Sequence, residues 1–507
     1  MQRCGQKQAR LIAGRWSSGA ILGDVPWALL GALCAALPAG WMWGFTVDDA
    51  LISVRYARHL AAGLGYRFNA GGPVTDGVTP LPWPFLLATV ARAEPLVVLE
   101  RAKVFGFVVS AAGGGWLGVV IGRVRSSGLA VRLVPLLTLG LCLPMAAYAV
   151  SGMETALATF LATASALTSR RPLLAATFAG WAASLRPELC PWSIALAVGS
   201  AIAEGQRTWR RFAAGAVAVA PFAACTALRV AVWGHPAPLA LLAKPSGVAF
   251  GLPYAGAGAF VILLPILVVA PWSLRRSPGA AIIVLAAIVH ACSIVAVGGD
   301  WMPYARLWVP VVPSLAFAAA LIGAEARPLS RAIRSMCALG VGLALVVRNG
   351  TTGRRVGFDR AALIIAARPW LEPLRRVAVL DIGWASAATE ADIIDLAGLT
   401  DPEIAALPGG HTSKRVGAMF LLGRQPDAIL LFTSAGLPDG RLQAWRDAVF
   451  GRLVEARLAG DDVIARHFSP VTWLPLGGLG AGYVLLRMNP GGGPPPLDFV
   501  PNRPAAF

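Results

Sequence analysis

Charged side chains are scarce in this chain, and acidic ones scarcer than basic ones. Only 14% of its 507 residues are charged while 56% are hydrophobic, and the mean hydropathy is +0.65. That composition excludes an ordinary soluble protein with a large core and predicts an integral membrane protein. The 26 acids face 44 lysines and arginines, for a net charge of +18. In a soluble protein such a surplus would suggest nucleic acid. Here the arginines sit in short clusters between apolar stretches, the pattern that sets membrane topology, so no nucleic-acid partner is expected.

Cysteine is thin as well. The seven cysteines (Cys4, Cys34, Cys142, Cys190, Cys225, Cys292, Cys337) precede the end of the last apolar span, and none forms a Cys-x-x-Cys pair. That excludes a zinc or redox signature, and they read as small apolar helix residues. P-loop, His-Glu-x-x-His and Gly-x-Ser-x-Gly patterns are all missing, which removes the chemistries those motifs serve. No internal repeat is visible, whereas many transporters are built from one.

What the chain does have is a succession of apolar runs. A helix crosses the hydrocarbon with about 20 residues, fewer when neighbours shield its ends. Eleven spans are predicted, at 20–43, 104–122, 133–150, 154–169, 172–185, 189–204, 212–232, 256–273, 280–297, 307–324 and 335–347. Arg3, Lys7, Arg10 and Arg15 precede the first, with no small-residue cleavage site, which predicts a retained signal anchor and a cytoplasmic N-terminus. Alternate connections then carry Arg123, Arg125 and Arg132; Arg170 and Arg171; Arg207, Arg210 and Arg211; Arg275 and Arg276; and Arg327, Arg331 and Arg334. By the positive-inside rule these face the cytoplasm.

The predicted fold is a polytopic α-helical membrane domain over 1–347, in the cytoplasmic (inner) membrane. Residues 44–103 form its outer loop, where the proline-rich stretch 80–92 predicts an interfacial helix. An extracytoplasmic α/β-type domain follows over 348–488, with buried strands at 377–380, 428–432 and 483–486. The proline- and glycine-rich tail, 489–507, predicts disorder.

The most informative segment runs from Val47 to Arg58, directly after the first span. Asp48 and Asp49 stand side by side at a membrane edge, where each disfavours the other's ionisation. If a helix starts there, Asp48, Arg55 and His59 share one face, because seven residues make about two turns. The predicted topology also puts Glu154, Arg186, Glu188, Lys244, Asp300 and Arg306 at the outer membrane face, from separate connections. Charges at a membrane edge are functional-site candidates; His235 is a further loop candidate. The outer face lacks nucleotide sugars and ATP, so an enzyme there needs an activated substrate from the bilayer, such as a lipid phosphate. Its leaving phosphate calls for Lys or Arg, with or without a metal, and its attacking hydroxyl for a carboxylate base.

These motifs resemble the membrane glycosyltransferases of GT-C architecture, and among them the arabinofuranosyltransferase B-like proteins of cell-wall assembly. The likeness rests on the acidic pair with Arg55-Tyr56-Ala57, the turn Gly63 to Asn69, Thr79 to Trp83, and Gly152-Met153-Glu154-Thr155. It continues through Arg186-Pro187-Glu188, Gly298-Gly299-Asp300-Trp301-Met302-Pro303 and Asp395 to Pro402. It spans about residues 40–420. Two places depart from the pattern: Leu239 and Ala240 replace an Asn-Thr pair, and Asp76-Gly77-Val78-Thr79 replaces Glu-Gly-Tyr-Thr.

The resemblance implies inverting transfer from a polyprenyl-phosphate sugar to an envelope glycan, with the sugar, arabinofuranose or another, unassigned. It implies Asp48 as base and Asp49 as its assistant, with a divalent cation (magnesium, manganese or calcium) at Asp49 as an option that the sequence does not require. Arg55, Lys244 and Arg306 would hold the donor phosphate. Glu154, Arg186, Glu188, His59, His235 and Asp300 would line the cavity, and Trp384 and His411 would meet the acceptor. The competing readings are a lipid or glycolipid flippase, and a protein O-glycosyltransferase of the same architecture.

Overall fold

The computed structural model describes residues 18–124, 128–243, 247–262, 274–478 and 480–490. Two compact units emerge. The first holds residues up to 61, 79–238 and 246–357; the second holds 62–78, 239–245 and 358 onward.

The first unit is helical and, by length and composition, membrane-embedded. Its helices in chain order are α1 (Ser18–Trp41), α2 (Asp48–Ala61), α3 (Pro82–Ala88), α4 (Pro95–Gly122), α5 (Ala130–Gly140) and α6 (Leu143–Ala149). Then come α7 (Thr155–Leu167), α8 (Pro172–Leu185), α9 (Cys190–Ala203), α10 (Thr208–Trp233), and, after the short α11 (Leu239–Leu242) of the second unit, α12 (Val248–Ile262). The unit ends with α13 (Pro278–Ala296), α14 (Val312–Glu325) and α15 (Pro328–Gly353). Proline opens α4, α8, α13 and α15, the position where its missing N–H leaves no bond unmade.

Among the described residues, six stretches are long and apolar enough to cross a membrane: Gly23–Trp41, Pro95–Gly122, Thr208–Trp233, Pro278–Ala296, Arg306–Glu325 and Pro328–Leu371. The predicted span 133–150 is instead a broken pair, α5 and α6, bent by 58° just ahead of Pro144, where a proline cannot continue the hydrogen-bond ladder. The runs predicted at 154–169, 172–185 and 189–204 form α7, α8 and α9, of 13, 14 and 14 residues. Such helices rise only about 20 Å, short of roughly 30 Å of hydrocarbon. The interfacial helix predicted over 80–92 is the seven-residue α3. The predicted span 335–347 lies inside the longer α15. The N-terminal basic residues, Arg125, Lys244, Cys4, the second half of span 256–273 and the tail beyond 490 lie outside the described residues.

Small residues bring these helices together. In α1 and α4 a Cβ added at Gly31, Gly114 or Gly118 would meet the partner's backbone carbonyl. Where lipid tails are as apolar as leucine, such close backbone approach supplies the attraction between helices. Ala176, Ala197, Ala201, Ala214 and Ala218 form a fully buried alanine seam among α8, α9 and α10.

The second unit opens with α16 (Val356–Leu371), which starts just inside the first, and is built on a five-stranded mixed sheet of order β2-β1-β3-β5-β4. Its strands are β1 (Arg376–Val379), β2 (Asp392–Asp395), β3 (Ala428–Thr433), β4 (Phe468–Pro475) and β5 (Gly482–Met488). β2, β1 and β3 run parallel and β5 and β4 antiparallel. Parallel neighbours need crossover connections, supplied by α17 (Ile382–Ala388), α18 (Pro402–Ala406) and α19 (Ala418–Gly423); α20 (Leu453–Gly460) and α21 (Asp462–His467) precede β4. The predicted strands fall on β1, β3 and β5. The free edge of β2 is closed from far back in sequence: Asn69 donates through Nδ2 to the Ile393 carbonyl and accepts the Ile393 N–H at Oδ1, both at 2.9 Å. One amide side chain does the work of a neighbouring strand and blunts the edge.

Candidate active site

Asp48 and Asp49 occupy the first turn of α2, Asp48 buried and Asp49 half-buried. The positive end of a helix dipole offsets part of the cost of crowding two carboxylates there. Arg55 and His59, two and three turns along, are buried with Asp48, so all three share one inward face. The start of α2 is tied to the loop before α7, where Thr46 donates from Oγ1 to the Ser151 carbonyl at 2.9 Å. Gly152 in that loop has φ +82°, and a Cβ on it would lie 2.5 Å from Leu99 and 3.5 Å from Ala50. Only glycine fits both the left-handed backbone and the space.

Two residues on, Glu154 is fully buried and pairs with Arg186, with Nη1 to Oε1 at 3.1 Å; only 2% of the Arg186 side chain is exposed. Arg186 Nε lies 2.9 Å from Glu188 Oε1, an ion-pair contact without hydrogen-bond alignment. One guanidinium thus sits between two carboxylates. Glu154 Oε2 and Arg186 Nη2 keep no hydrogen-bond partner among the described residues. Half-satisfied buried charges of this kind are costly unless a ligand completes them.

Arg306 opens a 3₁₀ turn and pairs with Asp300, Nε to Oδ2 at 2.7 Å, while its Nη1 reaches Met153 Sδ at 3.7 Å. The charges of Glu154 and Asp49 also act on it. The connecting loop is strained: Gly298 and Gly299 have positive φ, and so do Tyr304 (61°) and Ala305 (46°). Two consecutive non-glycine residues in that region cost about 1–3 kcal/mol each. Tyr148 donates to the Pro303 carbonyl and Tyr304 to the Asn349 carbonyl, each at 2.9 Å, holding the loop in place.

His290, which the sequence did not single out, braces both charged loops. From within α13 its ring nitrogens face the Glu188 carbonyl at 3.2 Å and the Leu307 carbonyl at 2.7 Å. A lone histidine in an apolar helix gave no signal. His235 stays apart, closing on the Ala237 carbonyl of its own loop at 2.5 Å.

The acceptor role expected for Trp384 does not survive. Its ring is 1% exposed and packs on Tyr483 at 4.7 Å between centroids, so it is a core residue with no face to offer a glycan. His411 is half-buried in a turn of the same unit. A second polar cluster lies beside Trp384, at the carboxyl ends of β1 and β3. Arg452 holds Asp381 with both Nη atoms, at 2.7 and 2.9 Å, and reaches Glu455 at 3.4 Å. Tyr483 donates to Asp381, and Glu455 accepts the Phe432 N–H. Burial first, then the charge of Asp381, pushes Glu455 up to about 7 despite Arg452.

A family profile described as Domain of unknown function (DUF8728) matches residues 352–479. That match takes in β1 to β4 of the sheet unit, stops short of β5, and leaves out every residue of the Asp48–Arg306 set. No curated protein and no solved structure matches the chain.

Among the described residues, no three His, Cys, Asp or Glu side chains converge on a metal position.

Proposed function

We propose that this chain is an inverting glycosyltransferase of GT-C type, moving a sugar from a polyprenyl-phosphate donor to an envelope glycan. In this reading it crosses the cytoplasmic membrane eleven times from a cytoplasmic N-terminus, with α5–α6 as one broken span and α7–α9 as shortened ones. The reaction takes place at the outer face. The supporting observation is the acidic pair in the first turn of α2, in the same unit as an incompletely paired cluster of buried arginines and carboxylates.

Asp48 accepts the proton of the acceptor hydroxyl. The hydroxyl oxygen then attacks the anomeric carbon from the face opposite the phosphate. The anomeric carbon–oxygen bond breaks, and the prenyl phosphate leaves carrying the electron pair. Arg55 answers the charge that develops on it, the role that the motif ending at Lys244 implies for that lysine as well. Arg306 is engaged by Asp300, so it acts on the phosphate from a fixed position. Asp49 orients the hydroxyl; a divalent cation held by Asp49 would supply further charge neutralisation.

The test is transfer by purified protein from a panel of polyprenyl-phosphate sugars to glycan and protein acceptors. Replacing a general base lowers turnover about 10²–10⁴-fold, so Asp48→Asn should fall in that range with the donor KM little changed. Asp49→Asn should lose less. Unchanged transfer in both variants would remove the pair from the mechanism. Lipid movement in vesicles without transfer from any donor would replace the transferase by a flippase.

A further inference from the structure

The membrane unit contains a second charged feature, at the opposite end of the sequence from the acidic pair. One face of α15, from Arg331 and Arg334 through Ala338 to Leu345, lines a half-open groove against α5 and α14. The walls are otherwise apolar or small, and the cavity volume is about 120 Å³.

The two arginines at its mouth differ. Arg331 donates to the Gly323 and Ala326 carbonyls at 3.1 and 3.2 Å, answering the negative end of α14. Arg334 has no such partner. It is 8% exposed, bonds only the Ser330 carbonyl of its own helix, and leaves Nη2 without a partner among the described residues. Among the described residues no anion stands beside it, and a guanidinium buried in apolar surroundings without one is strongly unfavourable.

The dimensions match a lipid. From Arg334 to Leu345 the helix rises about 16 Å, close to half of the roughly 30 Å hydrocarbon thickness. A phosphate set on Arg334 therefore leaves an acyl chain running along the groove for the depth of one leaflet. We infer that this groove is a binding site for an anionic phospholipid, its phosphate held by Arg334 beside Arg331 and one acyl chain lying between α5, α14 and α15. The inference is independent of the transferase reading.

Native mass spectrometry of full-length protein, delipidated in detergent and titrated with phosphatidylglycerol or phosphatidylcholine, tests it. Wild type should hold one phosphatidylglycerol, at least tenfold more tightly than phosphatidylcholine, and excess inorganic phosphate should not displace it. Arg334→Gln should lose that preference, and Ala338→Phe should block the groove and lose the lipid while Arg334 remains. Arg171→Gln, an exposed arginine elsewhere, should behave as wild type. Equal phosphatidylglycerol binding by wild type and by a monodisperse Arg334→Gln or Ala338→Phe protein would overturn the site, as would equal affinity for both lipids.

Discussion

Around Arg452 two carboxylates compete for one guanidinium. Asp381 takes both Nη atoms, so Glu455 is left with a single longer contact and the Phe432 N–H. Burial then favours the protonated form, and the group titrates at about 7 in the fold against an ordinary value of 4.5. A folded value raised above the unfolded one contributes stability that is complete below about 4.5 and is lost as the pH rises through about 7. The size is on the order of 3 kcal/mol. Hydrogen exchange in β3 and α20 of the full-length protein should therefore quicken between pH 5 and pH 8, after correction for intrinsic rates, and Glu455→Gln should flatten that trend. An unchanged pH trend in the variant would assign it to another group. None of this was readable from the chain, because Asp381, Arg452 and Glu455 come from distant positions with no motif to link them. Trp384 shows the converse: an aromatic residue in a loop-rich domain suggests sugar binding, but identity alone does not report burial. Asp48, Arg55 and His59 were legible as neighbours because short-range spacing fixes a helix face.

At the scale of elements, hydropathy gave the position of the helices better than their length or straightness. Apolar runs record where water is excluded, not the direction of the chain. The break between α5 and α6 and the shortness of α7–α9 therefore went unseen, although Pro144 was in plain view. The glycines of α4 carry information of another kind. Gly114 and Gly118 let α1 approach to backbone contact, and a larger side chain must drive the helices apart. Gly118→Leu should lower the detergent melting temperature by 5 °C or more or abolish monodisperse expression, whereas Gly23→Ala, with open space around its Cβ, should do neither. Equal melting temperatures for the two variants would show that the α1–α4 contact contributes little.

For the whole molecule, the distribution of arginine makes a directional statement. In a background with native cysteines replaced by alanine, a cysteine introduced at Arg171 should react with an impermeant maleimide only from the cytoplasmic side. One at Thr412 should react from the outside. Reversed labelling would invert the topology and leave the acidic pair facing the cytoplasm. The two units are not two halves of a line: segments 62–78 and 239–245 belong with the sheet although they are encoded amid the membrane helices. Hydropathy boundaries drawn along the sequence could not show that, because the assignment is made by contacts such as the one between Asn69 and Ile393. Those two residues stand 324 apart. At about 5–20 residues per second of synthesis, Asn69 is made some 15 to 65 seconds before its partner. During that interval the loop is complete and its strand does not yet exist, so biogenesis has a built-in wait, and every chain that terminates before Ile393 leaves the ribosome with this turn still open.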